Sequence, residues 1–456
     1  MAGILNTRDY NLDSLILLTS VGAVELRYIM NEISYHEDLF GGVVSGYVMV
    51  TESSAYAELL ALNGNEFLIL TFSKYNGADV QIKKVFRAYK MDKRKLVANM
   101  ATEAYCIQFC SEELLLSEQY KISKSYPNQT IDTIITDICT SSYPSTPGLG
   151  INPDKLQIDP TYGVYNFIIP NLKPLDAINW LSTYARPADG NGGFYPGADM
   201  VFYEDRDGFK FRSLQALMDS EDVYNTYSYD PKNTNERNLQ EEVYNVTTYE
   251  ILNSYDTLGA INSGMFANQL LSVDILTRRR ISTNFDYLSY YKDPSSGSLN
   301  DYPVINNYKN RSGQQLNEAS QSVLKLIFCN FDDANNAVVQ ANPGSVAPNI
   351  YAETYIPYRT AQLALANYTR LKISIPGDPE VTVGDIIEFE LISKDPAVSG
   401  KQLDLFYSGY YLVTAVRHMI TQNDFKTVLE VAKESVPNQY PDISNDTTTW
   451  SNVVST

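Results

Sequence analysis

Several residue types are scarce in this sequence. Its 456 residues include two His, two Trp and four Cys. No apolar run approaches the ~18–20 residues that cross a bilayer. The first residues, MAGILNTRDYNLDS, lack the basic region and the apolar core of a secretory signal. These absences argue against a membrane-spanning or secreted protein.

The four cysteines show no pattern of a metal site. Cys106, Cys110, Cys139 and Cys329 form no CxxC pair and no Cys/His cluster of zinc spacing. Cys106 and Cys110 would share one face if YCIQFC is a strand. The pattern favours reduced, buried thiols in a protein that is assembled in the cytoplasm.

Basic residues are few relative to acidic ones. There are 35 Lys and Arg against 54 Asp and Glu, which gives a formal net charge of −19. Because phosphate binding needs clustered Lys and Arg, this balance argues against a protein that grips nucleic acid. Two basic clusters occur, DKRK at 92–95 and RRR at 278–280. We predict each at a turn or strand end, as rim charges rather than a DNA site.

Motifs of catalysis are absent as well. The sequence has no GxSxG elbow, no GxxxxGK[ST] loop, no HExxH and no EF-hand loop. Two segments, SYDPKN (228–233) and YEDRDG (203–208), hold acidic residues that could form an acid/base pair. Asp, Asn and Gly are also what turns require, and we predict turns at both. The sequence therefore predicts no catalytic residue, no cofactor, no metal and no enzyme activity, and it identifies no interface residue.

Tyrosine, in contrast, is abundant, with 35 residues beside 17 Phe. Tyrosine suits half-buried strand faces and wet interfaces, where the ring packs and the hydroxyl stays hydrated. The hydrophobic fraction of 44% is that of an ordinary globular protein. The composition predicts β-rich structure, extensive subunit contacts, or both.

The N-terminal part has the pattern of a β-domain. Residues 1–120 alternate between apolar runs of strand length and Gly, Asn or Asp punctuation, which predicts a barrel or sandwich. The segment ESSAYAELLALNG is predicted to interrupt these strands with a short helix.

The pattern changes in residues 121–218. A helical stripe is formed there by Ile131, Ile134, Ile135 and Ile138. Pro174 opens a second predicted helix, and a hairpin with its turn near Asp207-Gly208 follows. We predict a compact α+β domain.

The remaining chain is less uniform. Residues 219–240 are polar and predicted as a linker, and strands are predicted in 241–290 and 366–435. Between them, 291–365 is less regular, with one predicted helical segment, NEASQSVLKLIFCN. A helix-like TAQLALANYTR leads into the last strands. After Val436 the tail is polar, and we predict a flexible arm or one that only a partner orders.

His418 lies in a predicted hairpin at 410–431. The two-residue alternation of a strand places His418 on the same face as Leu412, Val416 and Ile420. On the return strand, the alternating positions are Phe425, Thr427, Leu429 and Val431. A working histidine needs a carboxylate, a nucleophile or further ligands within reach. The only other histidine, His36, lies nearly the whole chain away. We predict that His418 is structural.

Two groups of segments carry a family resemblance. One is the series IDTIITDIC, FIIPNLKPLDAINWLSTYA and MVFYEDRDGFKFRSL; the other is the pair ISIPGDPEVTVGDIIEFEL and SGYYLVTAVRHMITQNDFKTVLEV. They resemble the baseplate hub proteins of contractile-tailed bacteriophages, which are relatives of the N-terminal part of type VI secretion spike proteins. The likeness spans about residues 10–435. It rests on the order of the predicted helices and strands and on short sequence motifs such as PGD and GDII.

The resemblance implies a mainly β fold with α+β parts. It implies two antiparallel β-barrel domains similar to the tail tube protein, plus smaller α+β domains, assembled as a homotrimeric ring. The implied division is a first barrel at 1–120, an α+β domain at 121–218, a linker at 219–240, a second barrel at 241–290 with 366–435, an inserted domain at 291–365, and a polar C-terminal arm at 436–456.

The function implied is structural, in the tail baseplate of a virion assembled in the host cytoplasm. Three subunits with two barrels each would present six similar units, which would join a hexameric tail tube or tube initiator to a trimeric central spike. The tape measure and other baseplate proteins are further candidate partners. DNA would pass through the ring without specific binding, and an acidic lining would let the duplex slide.

Two alternatives remain open from the sequence. A virion protein that binds or hydrolyses glycans would need a cleft with two carboxyl groups ~5–10 Å apart. A spike hub of a type VI or similar injection system would continue into an OB-fold and a β-helix. Because this chain ends soon after the predicted second barrel, we expect the phage type with a separate spike protein.

Overall fold

Strands make up most of the regular structure in the computed structural model of the chain. The structure describes residues 9–74, 81–97, 102–188, 197–220, 222–230, 243–273, 278, 280–292, 297–307, 309–310, 313–318, 324–328, 352–393 and 402–441. The predicted mainly β architecture is confirmed by a 13-stranded, largely antiparallel sheet.

Residues 10–110 form what we call the first strand set. Its seven antiparallel strands lie in the sheet order β2-β1-β5-β6-β7-β4-β3. Alternate side chains point to one core, so Leu15 and Leu17 are buried in it while Ile16 faces the opposite side. The short helix predicted here is confirmed as α1. The elements are β1 (Tyr10–Leu18), β2 (Ala23–Glu25), β3 (Met30–Asp38), β4 (Ser45–Glu52), α1 (Tyr56–Leu59), β5 (Glu66–Lys74), β6 (Gln81–Val97) and β7 (Thr102–Cys110). The helix α2 (Glu112–Gln119) follows the set, and its Leu114 packs against the core of the next unit.

An α+β unit follows, with its own core of isoleucines and aromatic residues. The four isoleucines of the predicted stripe are all buried, which confirms that helix, and Pro174 opens the second one. The elements are β8 (Ser125–Gln129), α3 (Ile131–Thr140), β9 (Leu156–Ile158), β10 (Thr161–Tyr162), β11 (Tyr165–Ile168), α4 (Pro174–Ser182), β12 (Arg186–Pro187), β13 (Met200–Glu204), β14 (Phe209–Ser213) and α5 (Leu214–Met218). The predicted hairpin is β13–β14.

A second strand set is assembled from separate parts of the chain. Its sheet order is β16-β21-β24-β23-β22-β15, in which β15 and β22 are parallel and the other pairs antiparallel. Its core also includes side chains of the α+β unit, such as Tyr203 and Leu217. The strands are β15 (Val223–Tyr229), β16 (Thr248–Asn253), β21 (Thr369–Pro376), β22 (Ile386–Leu391), β23 (Gly409–Thr421) and β24 (Asp424–Lys433).

A smaller unit packs around a fourth, tyrosine-rich core. Its elements are α6 (Thr257–Ser263), β17 (Ala267–Val273), β18 (Arg280–Asp286), α7 (Tyr287–Tyr291), β19 (Tyr302–Pro303), β20 (Leu324–Phe328), α8 (Ala352–Leu365) and β25 (Ser435–Val436). The helix predicted over NEASQSVLKLIFCN is wrong at β20, which pairs in parallel with β17. A short apolar run fits the periodicity of a helix as well as that of a strand. Here pairing with β17, which is distant in sequence, decides for a strand.

Strand pairing departs from the predicted segment boundaries at two places. β15 lies within 219–240, where the polar composition predicts a linker, because its partner β22 is distant in sequence. β17 and β18 lie within 241–290 but pair with each other and with β20. Of the predicted C-terminal arm, 442–456 lies outside the described residues. In the part of the chain that the structure describes, no helix is long and apolar enough to cross a membrane.

Candidate functional site at the junction of the strand sets

β3 and β23 join the two strand sets into one sheet. They pair antiparallel from Ala415 opposite Asp38 to Thr421 opposite Glu32. We call these seven residue pairs the seam. Because the hydrogen-bond ladder is continuous here, the two sets cannot move apart without breaking backbone hydrogen bonds.

His418 lies on the core side of the seam, directly opposite Tyr35. Its ring is 1% exposed and packs against Tyr35, Phe72 and Phe425, with centroid distances of 5.6, 5.9 and 5.9 Å. Nδ1 lies 3.0 Å from the Thr427 hydroxyl oxygen. Burial lowers the pKa of His418 to about 3, so the ring is neutral at ordinary pH. The packed position predicted for His418 is confirmed.

The opposite side of the seam carries a polar network centred on Arg417. Its Nε donates to Ser34 Oγ at 2.8 Å, and its Nη2 donates to the Tyr47 hydroxyl at 2.9 Å. The Tyr47 hydroxyl in turn donates to Glu32 Oε1 at 2.7 Å. This network connects β23, β3 and β4 through side chains, in addition to their backbone ladders.

The two histidines are neighbours in the fold. His36 pairs with Arg417, so it lies one strand away from His418 and points to the opposite face. The expectation that His36 is remote is wrong, because antiparallel pairing brings the two ends of the chain together. His36 Nε2 lies 2.8 Å from Ser34 Oγ, and burial, followed by the charge of Arg417, lowers the pKa of His36 to about 4.

The sheet of the first strand set curves so strongly that β1 contacts the residues at the seam. The Tyr10 hydroxyl donates to the Thr421 carbonyl at 2.6 Å, and its ring packs on Phe425 with centroids 6.2 Å apart. In sheet order, six strands lie between β1, which holds Tyr10, and β24, which holds Phe425. A flat sheet would keep them far apart at ~4.8 Å per strand, so the contact requires strong curvature.

Glu204, at the end of β13, is the centre of a buried charged contact. One carboxylate oxygen accepts from the Val44 amide at 2.8 Å and from the Ser111 hydroxyl. The other accepts from Lys84 Nζ at 2.8 Å, and Lys84 also donates to the Asp205 carbonyl. The side chains of Lys84 and Glu204 are 14% and 7% exposed. This ion pair therefore fixes the β13–β14 hairpin to the first strand set.

Glu37 connects the first strand set to the loop before β22. Its Oε1 accepts from the Tyr35 hydroxyl at 2.8 Å, and its Oε2 accepts from the Val383 amide at 3.4 Å. Glu37 is 1% exposed. Burial raises the pKa of Glu37 to about 8, an effect that the charge of Lys84 opposes. Glu37 is therefore largely protonated at neutral pH.

The turn predicted at YEDRDG is confirmed. Asp205 Oδ1 accepts from the amides of Asp207 and Gly208 at 2.8 and 2.9 Å, and its other oxygen lies 2.5 Å from Lys210 Nζ. The sequence gives no warning that Asp205 is fully buried. A weak signal for Glu204 exists, since it continues the uninterrupted buried strand MVFYE. In the other acidic segment, SYDPKN, residues 231–233 lie outside the described residues.

We call the seam, together with the contacts of Glu37, Glu204 and Asp205, the junction, and its chemistry is structural. Glu37, Glu204 and Asp205 are buried and bonded to protein groups, whereas glycan hydrolysis requires two carboxyl groups open to a substrate. Over the described ranges, no group of three His, Cys, Asp or Glu could hold a metal ion. What the arrangement does is hold the first strand set, the α+β hairpin and the second strand set together.

The basic clusters and cysteines occupy other places. The cluster DKRK lies inside β6, which continues to Val97, so its predicted position at a strand end is wrong; a bulge places Lys93 at φ 54°. In RRR, Arg280 begins β18, as predicted, and residue 279 lies outside the described residues. An exposed bulge inside a strand and a true strand end look alike in sequence, because both tolerate charge.

Three cysteines are free and buried, as predicted: Cys106, Cys110 and Cys139. Cys106 and Cys110 lie on one face of β7. Burial raises the pKa of Cys110 to about 11, so the thiol stays protonated. Cys329 lies outside the described residues.

Comparisons with known proteins bear on this fold. No protein-family model matches the chain. The chain is 24% identical over 424 residues to the probable baseplate hub protein gp334 of Vibrio phage KVP40, an alignment that covers 90% of this chain and 92% of that protein. The resemblance to baseplate hub proteins is confirmed. It extends over nearly the whole length of both chains.

A solved structure shows this fold at low sequence identity. The tail protein from Neisseria meningitidis MC58 is 9% identical, with a TM-score of 0.52 over 95% of this chain and 99% of that one. The 43 kDa tail protein of prophage MuSo2 from Shewanella oneidensis is 10% identical, with a TM-score of 0.48 over 93% and 100%.

Proposed function

We propose that this chain is a structural baseplate hub of a phage tail, without enzymatic activity, and that it resides in the virion. The similarity to a baseplate hub protein along nearly its whole length supports this assignment. The carboxylates of Glu37, Glu204 and Asp205 are buried and bonded to protein groups, which also favours a structural role over the glycan-acting alternative.

The observation that carries the proposal is the pairing of two strand sets, each around its own core, in one sheet. A subunit with two similar modules allows three copies to imitate six. The hub is then a homotrimer with pseudo-sixfold symmetry, which joins a hexameric tail tube to a trimeric central spike. This arrangement resolves the symmetry mismatch without requiring two different hub proteins.

Both strand sets are proposed to be closed barrels. In the first, the contact between Tyr10 and Phe425 supports closure at the seam. In the second, the Ser228 amide donates to the Tyr244 carbonyl at 3.0 Å, and the Val246 amide donates to the Ser228 carbonyl at 2.9 Å. These bonds connect β15 to the segment that leads into β16, so hydrogen bonds continue around the second core.

The domain division proposed from these contacts is a first barrel at 10–110 and an α+β domain at 121–218. The second barrel then comprises 223–253 and 369–433, and the smaller unit includes 257–305 and 352–368. We further propose that much of the −19 charge faces a central channel, where it repels the phosphates of passing DNA.

The test is the mass of the purified full-length chain by light scattering, followed by cryo-electron microscopy of the particles. We expect three times the 51.2 kDa chain mass and a ring with a central hole. A chain that stays monomeric at all concentrations, with and without added spike protein, would contradict the proposal. Incubation with peptidoglycan is the second arm, and release of soluble sugar would favour the glycan-acting alternative.

A further inference from the structure

Three apolar side chains form a row on the side of the first strand set that points away from its core. Ile16 on β1, Ile69 on β5 and Val85 on β6 are directly paired across the three strands. Their neighbours Leu15, Leu70 and Phe86 point into the core, so these three residues face outward. Val85 is 58% exposed, and Ile16 and Ile69 are half-buried.

Basic side chains border this apolar row on β6. Lys83 lies beside Val85 on one side, and Arg87 lies on the other, stacked 4.1 Å from the centre of the Phe67 ring. We call Ile16, Ile69, Val85, Phe67, Lys83 and Arg87 the outer face. Such a surface is neither a solvated strand face, which would be polar, nor part of the core.

The charge of β6 contrasts with that of the chain. This strand holds seven of the 35 Lys and Arg residues and one of the 54 Asp and Glu. Lys84 pairs with Glu204, Lys90 with Asp92, and Arg94 with Glu103 and Glu58. Lys83 and Arg87 form no ion pair with any residue that the structure describes.

We infer that the outer face docks on an acidic surface of a second copy of this chain. Outside β6 the acidic residues of this chain outnumber the basic ones by almost two to one, so another copy complements the basic border. The apolar row supplies the buried centre that a stable contact needs, with the basic residues as its rim. This inference rests on the homotrimer of the proposed function and specifies one of its contact surfaces.

The same basic residues could instead contact DNA, but the apolar row favours protein. Nucleic-acid contacts are dominated by phosphates, which gain nothing from an exposed Val85 beside an isoleucine pair. Lysines on exposed strands also serve to prevent edge-to-edge pairing. At Lys83, β6 pairs with β5 alone, and its pairing with β7 begins at Arg87, so Lys83 also suits the protection of an open strand edge. That role does not account for the apolar row beside it.

The first experiment compares two valine variants of the full-length chain. Val85→Glu places a carboxylate in the centre of the outer face. Val164→Glu is the matched control, because Val164 is also 58% exposed but lies in the α+β unit. We expect Val85→Glu to weaken self-association at least ~tenfold and Val164→Glu to leave it unchanged, as measured by light scattering over a concentration series.

Three outcomes are distinguishable. Trimers that survive Val85→Glu with unchanged affinity overturn the inference while the proposed assembly stands. A wild-type chain that stays monomeric at all concentrations, with and without added spike protein, overturns both. A Lys83→Glu variant that loses retention of duplex DNA but keeps its mass identifies the face as a nucleic-acid contact and overturns docking of a second copy. Unchanged circular dichroism of each variant excludes unfolding as the cause.

The second experiment identifies the partner surface. Isotope-labelled and unlabelled chains are mixed and treated with a carbodiimide, which joins a lysine directly to a contacting carboxylate. We expect mixed-isotope peptides that join Lys83 to an Asp or Glu of another copy, and their loss in Val85→Glu. Cross-links from Lys83 only within one copy would contradict the inference.

Discussion

The two strand sets each surround a core of their own but are assembled by different routes. The first uses strands that follow one another within residues 10–110 and pair antiparallel throughout. The second collects β15, β16, β21, β22, β23 and β24 from more than 200 residues of chain and includes a parallel pair. The difference teaches that a set of strands around one core can be built mainly from local contacts or from distant ones, and that only the local version is recognisable as one segment of the sequence.

The cores differ in the same way. The first takes Ile420 and Phe425 from the β23–β24 hairpin and otherwise uses residues from within 10–110. The second includes Val201, Tyr203 and Leu214 of the α+β unit. We therefore expect the second strand set to depend more on its surroundings than the first does.

The largest effect should come from truncating one buried phenylalanine in each set. Phe72→Ala and Phe389→Ala each remove a ring that is 0% exposed, at a cost of about 3–5 kcal/mol of unfolding free energy. Hydrogen exchange should then show Phe389→Ala loosening the second set and the α+β hairpin while β1 and β5 stay protected. Equal loss of protection in β1 would contradict the proposed asymmetry.

A second effect concerns the hairpin that connects the two sets. Glu204→Gln leaves the charge of Lys84 buried without its carboxylate, which should cost about 3 kcal/mol. Lys84→Met is the companion variant, and the double variant should lose less than the two single changes together, as measured by chemical unfolding. Strict additivity would mean that the ion pair does not couple the hairpin to the first set.

The third effect is on pH dependence. The unfolded chain releases the Glu37 proton near pH 4.5, whereas the folded chain keeps it up to about pH 8. Stability therefore falls as the pH rises from about 4.5 to about 8. Glu37→Gln lacks this proton, and its melting temperature should fall less between the two ends of the window. Glu58→Gln, at an exposed carboxylate, is the control and should follow the wild type.

The smallest effect is expected at His418. Phenylalanine fits the aromatic surroundings, and Thr427 keeps its contacts with the Asp378 backbone, so His418→Phe should change stability by less than ~1.5 kcal/mol at neutral pH. Because the pKa of His418 is lowered to about 3, the wild type loses stability as pH falls from 6.5 toward 3. The variant should retain that stability in an acid unfolding series. A large loss at neutral pH would indicate a role for the imidazole beyond packing.

Local patterns were sufficient for much of the fold. The isoleucine spacing identified α3, the Asp-Gly turn identified β13–β14, and the alternation around His418 identified β23–β24. Each of these depends on residues that are close in sequence, so periodicity alone determines which side chains are buried.

Contacts between distant segments could not be predicted. β15 has no local signal that distinguishes it from a polar loop, because its stability comes from β22. The proximity of His36 and His418 and the burial of Glu204 likewise follow from tertiary pairing. In the YEDRDG segment, turn chemistry and burial require the same residues, so the sequence shows the first and hides the second.

The seam also determines how the molecule responds to force. If β3 and β23 are pulled along their common axis in opposite directions, all seven residue pairs must yield together, whereas pulling them apart sideways would open the pairs one after another. A tail machine that transmits thrust through such a part gains rigidity in one direction without any added bond. The angle between these two strands and the tail axis therefore sets the direction in which the seam resists force best.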